Sequence, residues 1–88
     1  MKVVILYHPH SDQARNVESF ARDFSRQTSK KVELVSLESR DGAATATLYD
    51  IVQYPAILAL DNAGAMLRAW QGPILPLMNE LAYYTQER

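Results

Sequence analysis

A chain of 88 residues with 48% hydrophobic and 22% charged side chains can build one modest core but not two, so we expect a single domain over residues 1–88. Nine Lys and Arg residues against ten Asp and Glu give a net charge of -1, which offers no electrostatic basis for binding nucleic acid or an anionic membrane. Cysteine is absent, which excludes disulfides, thiolate metal sites and a thiol nucleophile.

The hydrophobicity pattern argues against membrane insertion and export. No segment approaches the roughly 20 apolar residues that are needed to span a bilayer. Residues 1–7 carry one basic residue and a short apolar run, and no small-residue cleavage site follows them. We therefore interpret this run as a strand and expect a cytoplasmic protein.

The first part of the chain predicts a strand, a helix and a second strand. Residues 2–7 form a continuous, β-branched apolar run, typical of a strand that is covered on both faces. Apolar side chains recur at helical spacing over residues 14–28, with Ser11 or Asp12 as the expected N-cap. Residues 32–37 predict a second strand, parallel to the first because a helix connects the two.

A short helix and a third strand are predicted next. Residues 38–42 form a polar turn, in which Asp41 is the expected cap of a small Ala/Thr-rich helix over residues 43–50. Residues 56–60 are apolar and of strand length, which predicts the third strand.

The last part of the chain predicts a hairpin and a helix. Residues 61–64 are a turn signal, so residues 65–71 are expected to return as an antiparallel fourth strand that ends at Gly72 and Pro73. Pro76 suits the first position of a final helix. The apolar face of that helix is predicted to contain Leu77, Met78, Leu81 and Tyr84.

The stretch from Leu48 to Leu60 resembles the half of a thioredoxin-type domain in which a pattern like Tyr-x-Ile-x-x-x-Pro precedes the third strand. The matching residues are Tyr49, Ile51 and Pro55. The order of elements, βαβ-α-ββα, is similar along the whole chain to a minimal thioredoxin or glutaredoxin-type domain. This resemblance implies an α/β fold, with a four-stranded mixed sheet flanked by three helices. It also implies a cis peptide bond before Pro55, a geometry that proline tolerates far better than other residues do.

The redox motif of that family is missing. The resemblance places Ser11 and Ala14 at the positions of the two cysteines of a Cys-x-x-Cys motif, which reads Ser11-Asp12-Gln13-Ala14 in this chain. No sulfur is left for disulfide exchange. We therefore expect no thiol–disulfide oxidoreductase activity, no catalytic residue at these positions and no cofactor.

The ligand groove implied by the resemblance needs no cysteine. Our leading hypothesis is a redox-inactive module that binds a protein or peptide by strand addition at the backbone of the residue before Pro55. The alternative is a transferase-like protein that binds glutathione or another small thiol, with the hydroxyl of Ser11 polarising the sulfur. The expected binding residues are Ser11, Asp12, Gln13, Tyr54, Pro55, Trp70 and Gly72.

The loop after the first strand permits other interpretations. A capping role alone would explain Ser11 without any function, and catalysis by its hydroxyl would require an oriented base. His8, His10 and Asp12 form a His-x-His-x-Asp pattern that would suit a divalent metal if the three side chains converged, although no fourth ligand is evident.

The aromatic residues near the C-terminus have structural and functional interpretations. Trp70 either forms a wall of the peptide groove or covers the core from an edge strand. Tyr83 and Tyr84 are expected to divide into one core and one exposed residue. An exposed tyrosine with Leu75 and Met78 would mark the surface of a weak homodimer, and the protein is otherwise expected to be a monomer.

Overall fold

The computed structural model describes residues 2–72 and 75–84, and within them the helices and strands follow the predicted order. These are β1 (Lys2–Tyr7), α1 (Ala14–Thr28), β2 (Val32–Ser36), α2 (Arg40–Leu48), β3 (Ala56–Leu60), β4 (Met66–Gln71) and α3 (Met78–Tyr83). The predicted strand break at Pro73 lies outside the described residues. None of the helices in the described ranges is long and apolar enough to cross a membrane.

The four strands form one mixed sheet in the order β2-β1-β3-β4. Strands β1 and β2 are parallel, with Ile5 opposite Leu34, as the connecting helix predicts. Strand β3 is antiparallel both to β1 and to β4. Strands β1 and β3 are buried along almost their whole length because they occupy the centre of the sheet, which explains their continuous apolar sequences.

The core has two layers, one on each face of the sheet. Val3, Ile5 and Tyr7 pack beneath α1 and α3, whereas Val4 and Leu6 pack beneath α2. Successive side chains of a strand point to opposite faces, so β1 supplies both layers. The predicted arrangement, a mixed sheet flanked by three helices, is confirmed.

Helix α1 begins later than its expected cap. The residue before the helix is Gln13, and no side chain caps the N-terminus. The expectation that Ser11 or Asp12 caps α1 is therefore wrong. Ser11 lies one turn ahead of the helix, between two successive turns. In the first turn the N–H of Ser11 donates to the carbonyl of His8 at 3.0 Å, and in the second the N–H of Ala14 donates to the carbonyl of Ser11 at 3.2 Å.

Helix α2 begins earlier than predicted. It starts at Arg40, and its cap is Ser39, whose hydroxyl oxygen accepts a 3.0 Å hydrogen bond from the N–H of Gly42. The prediction of Asp41 as the cap is wrong, because Asp41 already lies in the first turn. Its carboxylate interacts favourably there with the positive end of the helix dipole.

Helix α3 is short, with six residues, and starts at Met78 rather than at Pro76. Leu81 is its fully buried side chain, whereas Leu77, predicted on the apolar face, is the N-cap and is 69% exposed. Helix α2 ends at Leu48, two residues before its predicted end at residue 50, and one boundary each of β2 and β4 differs from the prediction by one residue, within the usual differences at element ends.

Candidate functional site

The peptide bond between Tyr54 and Pro55, immediately before β3, is cis. Pro55 is buried, and its carbonyl accepts a 3.0 Å hydrogen bond from the N–H of Gly72 at the end of β4. The hydroxyl of Tyr54 donates to the carbonyl of Ile51 at 3.1 Å. The structure therefore brings Tyr54, Pro55 and Gly72 together, as the sequence-based site requires.

The backbone of Tyr54 forms an unpaired edge. In residues 2–72 and 75–84, no backbone or side-chain group is hydrogen-bonded to its N–H or its C=O. Backbone polar groups of folded proteins are nearly always paired with protein or with solvent. Among the described residues, no protein group would therefore have to be displaced from the Tyr54 N–H or C=O by a new partner.

The side chain of Gln71 fixes the loop before Tyr54. Its Oε1 accepts hydrogen bonds from the N–H groups of Val52 at 3.0 Å and Gln53 at 3.2 Å. Gly72 follows with a φ of 106°, and a Cβ at this position would come within 3.2 Å of Oε1 of Gln53. Sequence reasoning missed Gln71, because a single exposed amide at a strand end carries no pattern that reveals a distant loop as its partner.

A groove of about 440 Å³ lies between α2 and the loops that follow β1 and α2. We call it the Tyr54 groove. Its lining residues are His8, Leu37, Ala43, Ala46, Thr47, Asp50, Ile51, Val52 and Tyr54. Its volume falls in the range of small-ligand sites, and its lining is largely apolar, with Val52 77% exposed beside it.

The end of α2 forms one wall of the Tyr54 groove through a Schellman motif. The N–H of Ile51 donates to the carbonyl of Ala46 at 2.8 Å, and the N–H of Asp50 donates to the carbonyl of Thr47 at 3.3 Å. Asp50 occupies the left-handed position of this motif, with a φ of 57°. Glycine is the usual residue there, because a side chain crowds the backbone in that conformation.

Replacing Asp50 by glycine is expected to raise the free energy of unfolding by about 1 kcal/mol, since the change removes backbone strain and a negative charge at the negative end of the α2 dipole. Asp50→Asn removes only the charge and is expected to raise the free energy of unfolding by about 0.5 kcal/mol. Urea denaturation measures both changes. A loss of stability in both variants would contradict this account of the helix end.

The Ser11–Ala14 segment lies apart from the lining of the Tyr54 groove. The Ser11 hydroxyl donates to the carbonyl of His8 at 2.8 Å, and Asp12 is exposed. Gln13 is half-buried, and Ala14 belongs to the core beneath α1. The loop reaches Tyr54 through His8, whose ring meets the Tyr54 ring edge-on at a centroid distance of 5.6 Å.

Below this loop, Tyr7 ties the end of β1 to α1. Its hydroxyl donates to Oε2 of Glu18 at 3.1 Å. Burial, the hydrogen bond to Glu18 and the negative charge of that carboxylate all raise the pKa of Tyr7 above its ordinary value. The contact orients the start of α1 and adds no reactive group to the Tyr54 groove.

Trp70 lies on the other face of the sheet from the Tyr54 groove, packed against the core beneath α1 and α3. Its indole N–H donates to Glu80, its ring meets the ring of Tyr84 at 5.5 Å, and the guanidinium of Arg68 lies 5.2 Å above it. Of its two interpretations, the placement fits the edge-strand aromatic that covers the core. Tyr84 is half-buried in this cluster, and Tyr83 is exposed.

The histidines of the predicted metal pattern make separate contacts. His8 packs on Tyr54, whereas Nε2 of His10 lies 3.8 Å from a carboxylate oxygen of Glu38. Across residues 2–72 and 75–84, no three His, Cys, Asp or Glu side chains are close enough together to hold a metal ion. The structure therefore does not bring His8, His10 and Asp12 together.

Comparison with known proteins identifies the architecture. No protein-family model matches the chain, and no curated protein matches it by sequence. Among solved structures, the chain is similar to thioredoxin 1 from the thermophilic eubacterium Thermosipho africanus TCF52B. The TM-score is 0.71 and the identity 8%, over 97% of this chain and 90% of that chain. At this identity the likeness concerns the fold alone.

Proposed function

Because this chain has a thioredoxin-like fold and no cysteine, we propose that it is a redox-inactive module that binds an extended segment of a protein partner at Tyr54. The observation that carries the proposal is that the backbone N–H and C=O of Tyr54, a residue that lines the Tyr54 groove, have no hydrogen-bond partner among the described residues. A partner strand accepts from this N–H and donates to this C=O, and neither hydrogen bond needs a sulfur atom.

The rigidity of the edge supports this proposal. Gln71 holds the loop before Tyr54 by two hydrogen bonds, and the bond from Gly72 to Pro55 holds the residue after it. An edge that is already fixed loses little conformational entropy when a ligand binds. The apolar lining of the Tyr54 groove then receives side chains of the bound segment, which gives selectivity beyond the backbone pairing.

Two-dimensional amide NMR titration tests the proposal. The probe is the capped peptide Ac-Ala-Val-Gln-Val-Ala-NH2, which is uncharged and whose valine residues favour an extended conformation. We expect saturable shifts of the Tyr54 amide and of amides that line the Tyr54 groove, such as those of Thr47 and Val52. Unchanged spectra at millimolar peptide would contradict the proposal.

A matched pair of variants locates the binding. Thr47→Trp places a large ring in the Tyr54 groove. It is expected to raise the dissociation constant of the peptide about tenfold, which corresponds to a loss of about 1.4 kcal/mol of binding free energy. Ala44→Trp introduces the same side chain at an exposed position of α2 outside the groove lining and is expected to leave binding unchanged. Equal effects of the two variants would place the peptide elsewhere.

Reduced glutathione is the second probe, since the same backbone edge suits its cysteinyl unit. The Ser11 hydroxyl already donates within its own loop, so we expect no glutathione shifts centred on Ser11. Saturating shifts at Ser11, Gln13 and Tyr54 with glutathione, and none with the peptide, would favour the small-thiol alternative.

A further inference from the structure

We infer that the segment bound in the Tyr54 groove carries a basic side chain, lysine or arginine, and that the carboxylate of Asp50 is its counter-charge. This inference rests on the proposed function, because it specifies the ligand of the same groove. Its basis is the distribution of charge and apolar surface around the groove.

The lining of the Tyr54 groove carries the carboxylate of Asp50. Within residues 2–72 and 75–84, the basic side chain of the lining is that of His8, and no lysine or arginine lines the groove. Asp50 is exposed and makes no side-chain hydrogen bond or ion pair with any residue of the described ranges. A ligand cation is therefore a complementary partner that the described part of the chain does not supply at this position.

The end of α2 strengthens the negative potential at Asp50. The aligned peptide dipoles of a helix place a partial negative charge at its C-terminal end, and Asp50 lies just beyond α2, after the C-cap residue Tyr49. Its carboxylate is thus unfavourable in the free protein, in a backbone conformation that also favours glycine. A bound cation relieves the electrostatic part of this cost, which an uncharged or anionic ligand does not.

Neighbouring charges do not cancel this field. Glu38, which follows the lining residue Leu37 in the chain, adds a second carboxylate, and Nε2 of His10 lies 3.8 Å from a carboxylate oxygen of Glu38. Arg40 begins α2 one turn before the lining residue Ala43 and does not line the groove itself. Lys2 pairs with Glu33 at 3.3 Å, away from the Tyr54 groove.

The shape of the groove suits a long basic side chain. Leu37, Ile51 and Val52 provide apolar surface for an aliphatic stem, and Asp50 provides the charge for its head. Lysine and arginine bind surfaces of this mixed kind, because their methylene groups pack on apolar atoms while the charged group stays partly solvated. Glutathione lacks this complementarity, because its two carboxylates outweigh its single ammonium group and it has no long basic side chain.

Three peptides test the inference by the same NMR titration: Ac-Ala-Val-Lys-Val-Ala-NH2 and its variants with glutamine or glutamate at the central position. We expect the lysine peptide to bind about fivefold more tightly than the glutamine peptide, in keeping with a partly exposed ion pair, and the glutamate peptide to bind most weakly. Asp50→Asn is expected to abolish the difference between lysine and glutamine peptides. Asp23→Asn, which removes the same charge from α1 on the other face of the sheet, is expected to preserve it.

The outcomes separate this inference from the proposed function. Equal binding of the lysine and glutamine peptides at the Tyr54 amide would overturn the inference and leave the peptide-binding proposal standing. A preference for lysine that Asp50→Asn leaves intact would overturn the role of Asp50. Unchanged spectra with all three peptides would overturn both.

Discussion

Replacing Gly42 by alanine is expected to lower the free energy of unfolding by about 2 kcal/mol or more, as overpacked sites do. A Cβ at this position would overlap the carbonyl oxygen of Ser36 and lie 2.8 Å from its carbonyl carbon. Both are backbone atoms at the end of β2, so a side-chain rotation cannot relieve the overlap. The first turn of α2 must then move away from the sheet, which also displaces the α2 wall of the Tyr54 groove.

The sign of this effect distinguishes it from helix propensity. At an unobstructed position on a helix surface, replacing glycine by alanine raises the free energy of unfolding by about 1 kcal/mol. Ala44→Gly, at an exposed position of the same helix, is the matched control and is expected to cost about 1 kcal/mol from propensity alone. Urea denaturation followed by circular dichroism measures both changes. A stabilising Gly42→Ala substitution would show that α2 does not lie against Ser36.

Leu81→Ala is expected to lower the free energy of unfolding by about 3 kcal/mol, because Leu81 is fully buried and is the main contact of α3 with the core. The helix has only six residues, too few to be stable without tertiary packing. Loss of the anchor is expected to loosen α3 and with it the contact between the Trp70 indole and Glu80.

Leu77→Ala is the matched control for this experiment. Leu77 is 69% exposed at the N-cap of the same helix, so its truncation is expected to change stability by less than about 0.5 kcal/mol. Trp70 is the single tryptophan of the chain, and its fluorescence reports both global unfolding and the local environment beside α3. Equal effects of the two substitutions would contradict the placement of Leu81 in the core.

The proposed function places the two faces of the sheet in different roles. The face beneath α1 and α3 is closed by Leu81, Trp70 and Tyr84, and it supplies stability. The face beneath α2 opens at its end into the Tyr54 groove, beside an unpaired backbone edge. Leu81→Ala is therefore expected to lower stability strongly, whereas Thr47→Trp is expected to weaken ligand binding, and Asp50→Asn to remove the preference for a basic ligand while stabilising the protein slightly.

The sequence alone determined the order of helices and strands, the thioredoxin-like architecture and the loss of thiol chemistry. These features depend on local signals: continuous apolar runs mark β1 and β3, helical spacing marks α1, and the absence of cysteine is read directly. The resemblance also placed Pro55 and Gly72 in one expected binding site, whereas the hydrogen bond between them is seen only in the structure. Helix starts were less accurate, since the side chains of Ser11, Ser39 and Asp41 are all suitable caps and only the turn geometry selects among them.

Only the tertiary structure decided how the candidate site is composed. It placed Trp70 on the face opposite Tyr54, brought Gln71 to the loop before Tyr54, and put Asp50 in the wall of the groove. The placements of Trp70 and Gln71 depend on contacts between residues that are distant in sequence. The placement of Asp50 depends on a helix end at which the residue in the left-handed conformation is not glycine. Local patterns encode the direction of a side chain relative to its own strand or helix, whereas the packing of those elements sets which side chains meet.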